Sequence, residues 1–259
     1  MHITCAGRTD VGIIRSGNED NYLMVPDKGV FIVADGMGGH AAGEVASEMA
    51  VRYISRDLGS LRGLSDEQVA ERMRAAIRTA NGAIFERTLT EHDKRGMGTT
   101  VSALTLYNSR FLIGQVGDSR AYLLRDSKLT QITKDHSYVQ EQVDAGYLTP
   151  EQARTHPYSN VITRCVGANA DVMPDVYVGS ARAADLYLLA SDGLTGMLED
   201  PQIAEILRNG RMPQEQVDLL IDEANRHGGL DNITAIIVRI DSVEPPPNGR
   251  ATEATTFPG

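Results

Sequence analysis

Val30-Phe31-Ile32-Val33-Ala34, followed at once by Asp35-Gly36-Met37-Gly38-Gly39-His40-Ala41, is the stretch from which the rest of the chain can be read. Five consecutive apolar residues predict a buried strand, and helical spacing resumes after the glycines at Val45, Met49 and Tyr53-Ile54. The glycines fit G-x-G-x-x-A, the turn that cradles a dinucleotide between strand and helix. Two features oppose that reading. Asp35 would set its charge against the pyrophosphate, and Asp57-Leu58-Gly59-Ser60 begins no second strand ending in a ribose-binding acid. The alternative is a strand that ends by presenting an acid beside a glycine, where a ligand can approach the backbone.

The same device recurs along the chain. Phe111–Val116 runs into Gly117-Asp118, Leu186–Ala190 into Ser191-Asp192-Gly193, and Asp231-Asn232 stands before Ile233–Val238. Any one such pair is an ordinary turn. Four at strand rims point to a shared site: like charges a few Å apart repel unless something neutralises them. Oxygen donors without matching His or Cys suit a hard cation such as Mg²⁺ or Mn²⁺. Upstream, Arg15-Ser16-Gly17-Asn18-Glu19-Asp20 adds two acids and an arginine, the latter either a surface ion pair or a planar fork for phosphate.

Strands are predicted at Asn21–Val25, Val30–Ala34, Thr99–Tyr107, Phe111–Val116, Ala121–Leu124, Leu129–Ile132, Val176–Val178, Leu186–Ala190 and Ile233–Ile240. Ser65-Asp66-Glu67-Gln68 has the form of a capping box, and Val69, Met73, Ile77, Ala80 and Ile84 line one helix face after it. Thr149-Pro150-Glu151-Gln152, Asp200-Pro201 and Pro213 open further helices, within and after a polar stretch at about 135–167. Blocks of strands meet blocks of paired helices, which predicts α+β with antiparallel sheets rather than a doubly wound parallel sheet. Residues 1–241 read as one unit. The last 18 residues, Ser242 to Gly259, carry Pro245-Pro246-Pro247 and an Ala/Thr/Glu mixture, and read as a disordered tail.

Composition bounds the function. The 259 residues carry 35 acids and 25 bases, a net charge of −10 that disfavours generic nucleic-acid or membrane-surface binding. No apolar run approaches the roughly 18 residues of a membrane span, and no secretory signal opens the chain. Cys5 and Cys165 are too few for a disulfide scaffold and fit a reducing cytoplasm. Neither is followed six residues later by the arginine of a thiol phosphatase: those positions are Val11 and Asp171. No Gly-Lys-Ser/Thr triplet of a P-loop is present.

Taken in order, Arg15…Asn18-Glu19-Asp20, Val33-Ala34-Asp35-Gly36-Met37-Gly38-Gly39-His40, Gly96-Met97-Gly98-Thr99-Thr100, Val116-Gly117-Asp118-Ser119-Arg120, Ser191-Asp192-Gly193 and Asp231-Asn232 resemble the metal-dependent protein phosphatases of the PP2C (PPM) family, bacterial branch. The resemblance spans about residues 3–240. It implies a four-layer α-β-β-α sandwich with a helical flap at about 136–167. It implies Mn²⁺ or Mg²⁺, two ions bridged by Asp35, with Asp192 and Asp231 on the first and the Gly36 carbonyl on the second. Glu19 and Asp20 match acids that act through water, Asp118 and Asp192 a weaker third ion, and Arg15 the phosphate-binding arginine. His156 resembles a substrate-contacting flap position; its other reading is an exposed loop histidine. The implied reaction is in-line hydrolysis of phosphoserine and phosphothreonine by a metal-bridging hydroxide, without a phosphoenzyme. The alternatives are a catalytically silent phosphoprotein-binding relative and a phosphatase of a small metabolite. The implied setting is a cytoplasmic monomer acting on phosphoproteins opposite a Ser/Thr kinase. The chain departs from eukaryotic members, which place a histidine where Met37 stands; that role does not pass to His40, which is expected to begin the next helix.

Overall fold

A computed structural model describes residues 1–39 and 41–243. The expected position of His40 and residues 244–259 of the expected tail lie outside them, while Ser242, expected to begin that tail, ends a strand instead. In chain order the elements are β1 (His2–Asp10), β2 (Asp20–Val25), β3 (Val30–Met37), α1 (Ala41–Leu58), α2 (Asp66–Thr90), β4 (Gly98–Thr99), β5 (Val101–Tyr107), β6 (Arg110–Val116), β7 (Arg120–Arg125), β8 (Lys128–Gln131), α3 (Tyr138–Asp144), α4 (Pro150–Arg154), β9 (Asp175–Ser180), β10 (Leu186–Ala190), α5 (Asp192–Thr195), α6 (Asp200–Arg208), α7 (Pro213–Arg226) and β11 (Ile233–Ser242).

The strands form two antiparallel sheets. One runs β1-β11-β10-β7-β8, the other β2-β3-β5-β6-β9 with β4 paired to β3. Period-2 alternation sorts their side chains. Phe31, Val33, Leu104, Phe111 and Ile113 of one sheet meet Leu123, Tyr187, Leu189, Ile236 and Val238 of the other in the layer between them. Val30, Ile32 and Ala34 point the opposite way, onto α1 and α2. Leu188, Ala190, Ala235 and Ile237 pack against α6 and α7. The result is the expected four-layer α-β-β-α sandwich, with α3 and α4 in the predicted flap.

The helix signals hold in detail. Ser65 Oγ accepts the Gln68 N–H at 3.3 Å, and Gln68 Oε1 accepts the Ser65 N–H at 2.9 Å. Val69, Met73, Ile77, Ala80 and Ile84 are all buried on α2. Pro213 opens α7, which buries Val217, Leu220, Ile221 and Ala224.

Three readings need correction. β1 is absent from the predicted strands: only Ala6 of its nine residues is buried, so pairing to β11, not apolar alternation, makes it a strand. β3 does not stop at Ala34. It continues through Asp35 because Gly36 and Met37 pair with Thr99 and Gly98. The predicted strand at Thr99–Tyr107 is accordingly two, β4 and β5. Both cysteines are free, and no described helix is long and apolar enough to cross a membrane.

Candidate metal centre and cleft

Asp35 lies directly opposite Asp20 in the β2–β3 pair. Its main chain is fixed by the two threonines of Gly98-Thr99-Thr100. The Asp35 N–H donates to Thr100 Oγ1 at 3.0 Å, and its carbonyl accepts from Thr99 Oγ1 at 2.9 Å and from the Thr100 N–H at 2.9 Å. The Thr100 hydroxyl shares a 2.7 Å hydrogen bond with Ser119, which follows Asp118.

The loop carrying Asp118 turns at Gly117, whose φ is 99°; a Cβ there would stand 2.6 Å from Thr100 Cγ2. His136 grips the same glycine twice. Its N–H donates to the Gly117 carbonyl at 2.9 Å, and its Nδ1 accepts the Gly117 N–H at 3.0 Å. Its Nε2 is 3.1 Å from an Asp175 carboxylate oxygen. That pattern places the ring proton on Nε2, and burial lowers the pKa of the ring.

From the other sheet come Asp192, first residue of α5, and Asp231, just before β11. Ser191 Oγ donates to Asp20 Oδ2 at 2.9 Å and accepts the Thr234 N–H at 2.9 Å, tying the two sheets together at the acids. Asn232 staples the loop that carries Arg15. Its Oδ1 accepts the Glu19 N–H at 2.8 Å, and its Nδ2 donates to the carbonyls of Val11 and Gly17 at 2.9 and 2.8 Å. The Glu19 carboxylate lies against the first turn of α1, in the space that a Cβ on Gly43 would fill. The Gly36 N–H donates to the Glu19 carbonyl at 3.2 Å.

The fold thus brings Asp20, Asp35, Asp118, Asp192 and Asp231 into one electrostatic cluster. Burial first, then the neighbouring carboxylates, raises Asp35 and Asp118 well above the ordinary range. The same causes raise Asp192, and lift Asp20 to about 7. Asp192 is among the carboxyls that raise Asp35. Arg15 is half-exposed, and its Nη2 donates to Asp231 Oδ2 at 2.7 Å.

Three buried oxygens, Asp20 Oδ1, Asp118 Oδ1 and Asp192 Oδ1, have no hydrogen-bond partner among the described residues. Buried polar atoms are rarely left so. Among the described residues no three such side chains close round one point as a finished cage. Unneutralised carboxylates repel, and one of the five is held by Arg15. The donor set is carboxylate oxygen, as a hard divalent cation requires, and the orphaned atoms are what such an ion would satisfy.

Asp118, Asp192, Asp231 and Arg15 line a cleft of about 1090 Å³, with the flap on one side and the segment from α5 to α6 on the other. Asp20 and Asp35 stand behind them. His156 does not line this cleft. Its ring packs against Tyr138 and Tyr158, at centroid distances of 6.0 and 5.6 Å, and its Nδ1 accepts the Tyr158 N–H at 3.1 Å. The sequence alone assigns no role to Thr99, Thr100, Asn232 or His136. Their signal, a polar side chain that the fold buries, is invisible until the pairing is known.

A model described as protein phosphatase 2C matches residues 15–218. The serine/threonine phosphatase stp of Listeria monocytogenes is 42% identical over 240 residues, which cover 90% of this chain and 94% of that protein. The serine/threonine protein phosphatase PstP of Mycobacterium tuberculosis is 40% identical over 239 residues, 91% of this chain and 44% of PstP. Among solved structures, the S. agalactiae serine/threonine phosphatase superposes with a TM-score of 0.86 at 37% identity, covering 92% of this chain and all of that one. The catalytic domain of PstP, in complex with two manganese ions, superposes with a TM-score of 0.82 at 38% identity, covering 92% and 97%.

Proposed function

Because the chain belongs to the protein phosphatase 2C family, we propose that it is a serine/threonine protein phosphatase that holds divalent cations between the rims of its two sheets. The observation that carries this reading is the set of three buried carboxylate oxygens without partners, beside a half-exposed arginine at the floor of a cleft. Asp35, Asp192, Asp231 and the Gly36 carbonyl would hold two such ions, with Asp35 shared between them. Asp118 and Asp192 would hold a weaker third, and Glu19 and Asp20 would act through water. Manganese is the first choice, because a structural relative was solved with it, and magnesium fits the same hard donors. Bound there, such ions supply Lewis-acid charge and acidify a water toward hydroxide near neutral pH.

The chain's own residues do the rest. Arg15 has the planar fork that matches a phosphate, and can turn to it from Asp231 across the open side of the cleft. Thr99 and Thr100 hold the Asp35 backbone, and His136 that of Gly117, so the acids cannot drift apart to relieve their repulsion. The flap and the α5–α6 segment wall the cleft on two sides and leave it open to water. No histidine among the described residues lines the cleft, and Met37 stands where eukaryotic members carry one, so the leaving oxygen takes its proton from a water or from a nearby acid. The cleft, just above the usual volume of small-molecule pockets, has room for a protein segment as well as a metabolite, and a protein segment is the substrate proposed here. Phosphoproteins made by a Ser/Thr kinase are the substrate class.

The test is turnover of p-nitrophenyl phosphate and of a phosphothreonine peptide after EDTA treatment, and again with Mn²⁺ restored. Both activities should vanish and return, and Asp35→Asn should abolish them. Turnover that survives EDTA, or near-normal activity of Asp35→Asn, would overturn the proposal. Binding of the phosphopeptide without turnover would favour a silent binding module.

A further inference from the structure

Eleven large apolar side chains are exposed among the described residues, and four of them, Val11, Ile13, Ile14 and Leu230, lie on two adjoining segments. Ile13 and Ile14 are 64% and 66% exposed, and Leu230 is 56% exposed. These segments are joined by hydrogen bonds. The N–H groups of Ile13 and Ile14 both donate to the Gly229 carbonyl, at 2.8 and 3.3 Å. Gly229 has a φ of 48°, and a Cβ on it would stand 2.8 Å from Ile13 Cγ1. Asn232 holds the carbonyls of Val11 and Gly17 on either side. The side chains are therefore presented outward by a fixed backbone.

The position of this patch gives it a role. Ile14 immediately precedes Arg15, and Leu230 immediately precedes Asp231, the pair joined at 2.7 Å at the floor of the cleft. Leu230 and Met197 themselves line the cleft wall. The apolar surface begins where the phosphate anchor ends. An extended substrate with its phosphate on Arg15 advances about 3.3 Å per residue, so residues one to three places from the phosphorylated one pass over the patch.

We propose that Ile13, Ile14 and Leu230 form a docking surface for an apolar side chain flanking the phosphorylated residue of a protein substrate. The surface sets a sequence preference for this phosphatase. The inference rests on the phosphatase reading above.

The test uses the Mn²⁺-loaded full chain, p-nitrophenyl phosphate, and phosphothreonine peptides carrying Leu or Ser at each of the three positions on either side. The wild-type chain should prefer Leu at one or more of these positions by about tenfold in kcat/KM, the scale of a modest apolar contact. The double variant Ile13→Ser, Ile14→Ser and the single variant Leu230→Ser should lose that preference through KM, while p-nitrophenyl phosphate turnover stays within about twofold of wild type. Ile14→Ala should show a smaller loss of the same kind. A preference that survives the variants, or its absence in the wild type, would overturn the proposal. So would a parallel fall in p-nitrophenyl phosphate turnover in all the variants, which would make the patch structural. A dimer that dissociates in the variants while the peptide preference is unchanged would assign the surface to a second copy instead. Failure of the wild type to hydrolyse any of these compounds would sink the phosphatase reading itself, and the docking surface with it.

Discussion

Asp20→Asn should stabilise the metal-stripped protein, and the gain should grow with pH. Asp20 is 5% exposed, faces Asp35 across the β2–β3 pair, and leaves Oδ1 without a partner among the described residues. Burial, and after it the charges of Asp192 and Asp231, lift its carboxyl to about 7, although hydrogen bonds from Thr234 and Ser191 pull the other way. In the unfolded chain an aspartate titrates near ~4. The folded state therefore keeps a proton that the unfolded state has already lost. Stability from this group is complete below about pH 4, and declines as pH rises through about 7. At ~1.4 kcal/mol for each pH unit of separation, the ionised carboxylate destabilises the folded state by about 4 kcal/mol at pH 8. Asparagine retains an acceptor for the Ser191 hydroxyl, now at 2.9 Å, but buries an amide group where the orphaned oxygen stood. That penalty of about 1–3 kcal/mol offsets part of the gain. The net expectation is a stabilisation of about 1–3 kcal/mol at pH 8, larger than that at pH 6 by roughly 1 kcal/mol. Urea unfolding in EDTA at both pH values measures it. Saturating Mn²⁺ should reverse the order, because the wild-type carboxylates then have their counter-charge. A variant no more stable than wild type at pH 8, or one with the same gain at both pH values, would refute the reasoning.

Two further substitutions probe the scaffold. A Cβ on Gly36 would lie 2.2 Å from the Gly43 carbonyl oxygen and 2.5 Å from that of Glu19. Gly36→Ala must therefore push α1 and the Glu19 loop away from β3, at a cost of about 3 kcal/mol and with loss of turnover, read from the urea midpoint and from p-nitrophenyl phosphate hydrolysis. Asp185 is 1% exposed and accepts from Arg125 at 2.7 and 2.6 Å and from the Arg182 N–H at 2.7 Å. Asp185→Ala strands the Arg125 guanidinium and should cost about 3 kcal/mol, with activity per folded molecule unchanged; a loss below 1 kcal/mol in urea titration would show the guanidinium finding water instead.

What the sequence could reveal followed burial. Strands buried on both faces, such as Leu186–Ala190, and helices with one apolar stripe, such as α2, announce themselves because their composition is dictated by the core. β1 did not, since a half-exposed edge strand is specified by its partner β11 and not by its own pattern. Asp35-Gly36 looks like a strand end because Asp-Gly is turn chemistry, and only the pairing with Gly98–Thr99 carries the strand past it. The acids themselves were legible as chemistry. Their meeting was not derivable from the residues alone, because Asp20 and Asp231 are brought together by pairing on two different sheets, joined at the rim through Ser191. The packing of the His156 ring against Tyr138 and Tyr158 is likewise set by the fold and has no sequence signal.

Asp20 and Asp35 ride on one sheet, while Asp192 and Asp231 adjoin strands of the other. Their separation is thus a dimension of the whole sandwich, like the gap of a vise whose screw is turned elsewhere. The screw is the apolar filling between the sheets, where Phe111 and Tyr187 meet at a centroid distance of 5.3 Å, tilted by 58°. A side chain swapped in that layer, far from the cleft, should alter the spacing of these acids without touching any of them. On the proposed reading, affinity for cations in this architecture would track the thickness of the interior.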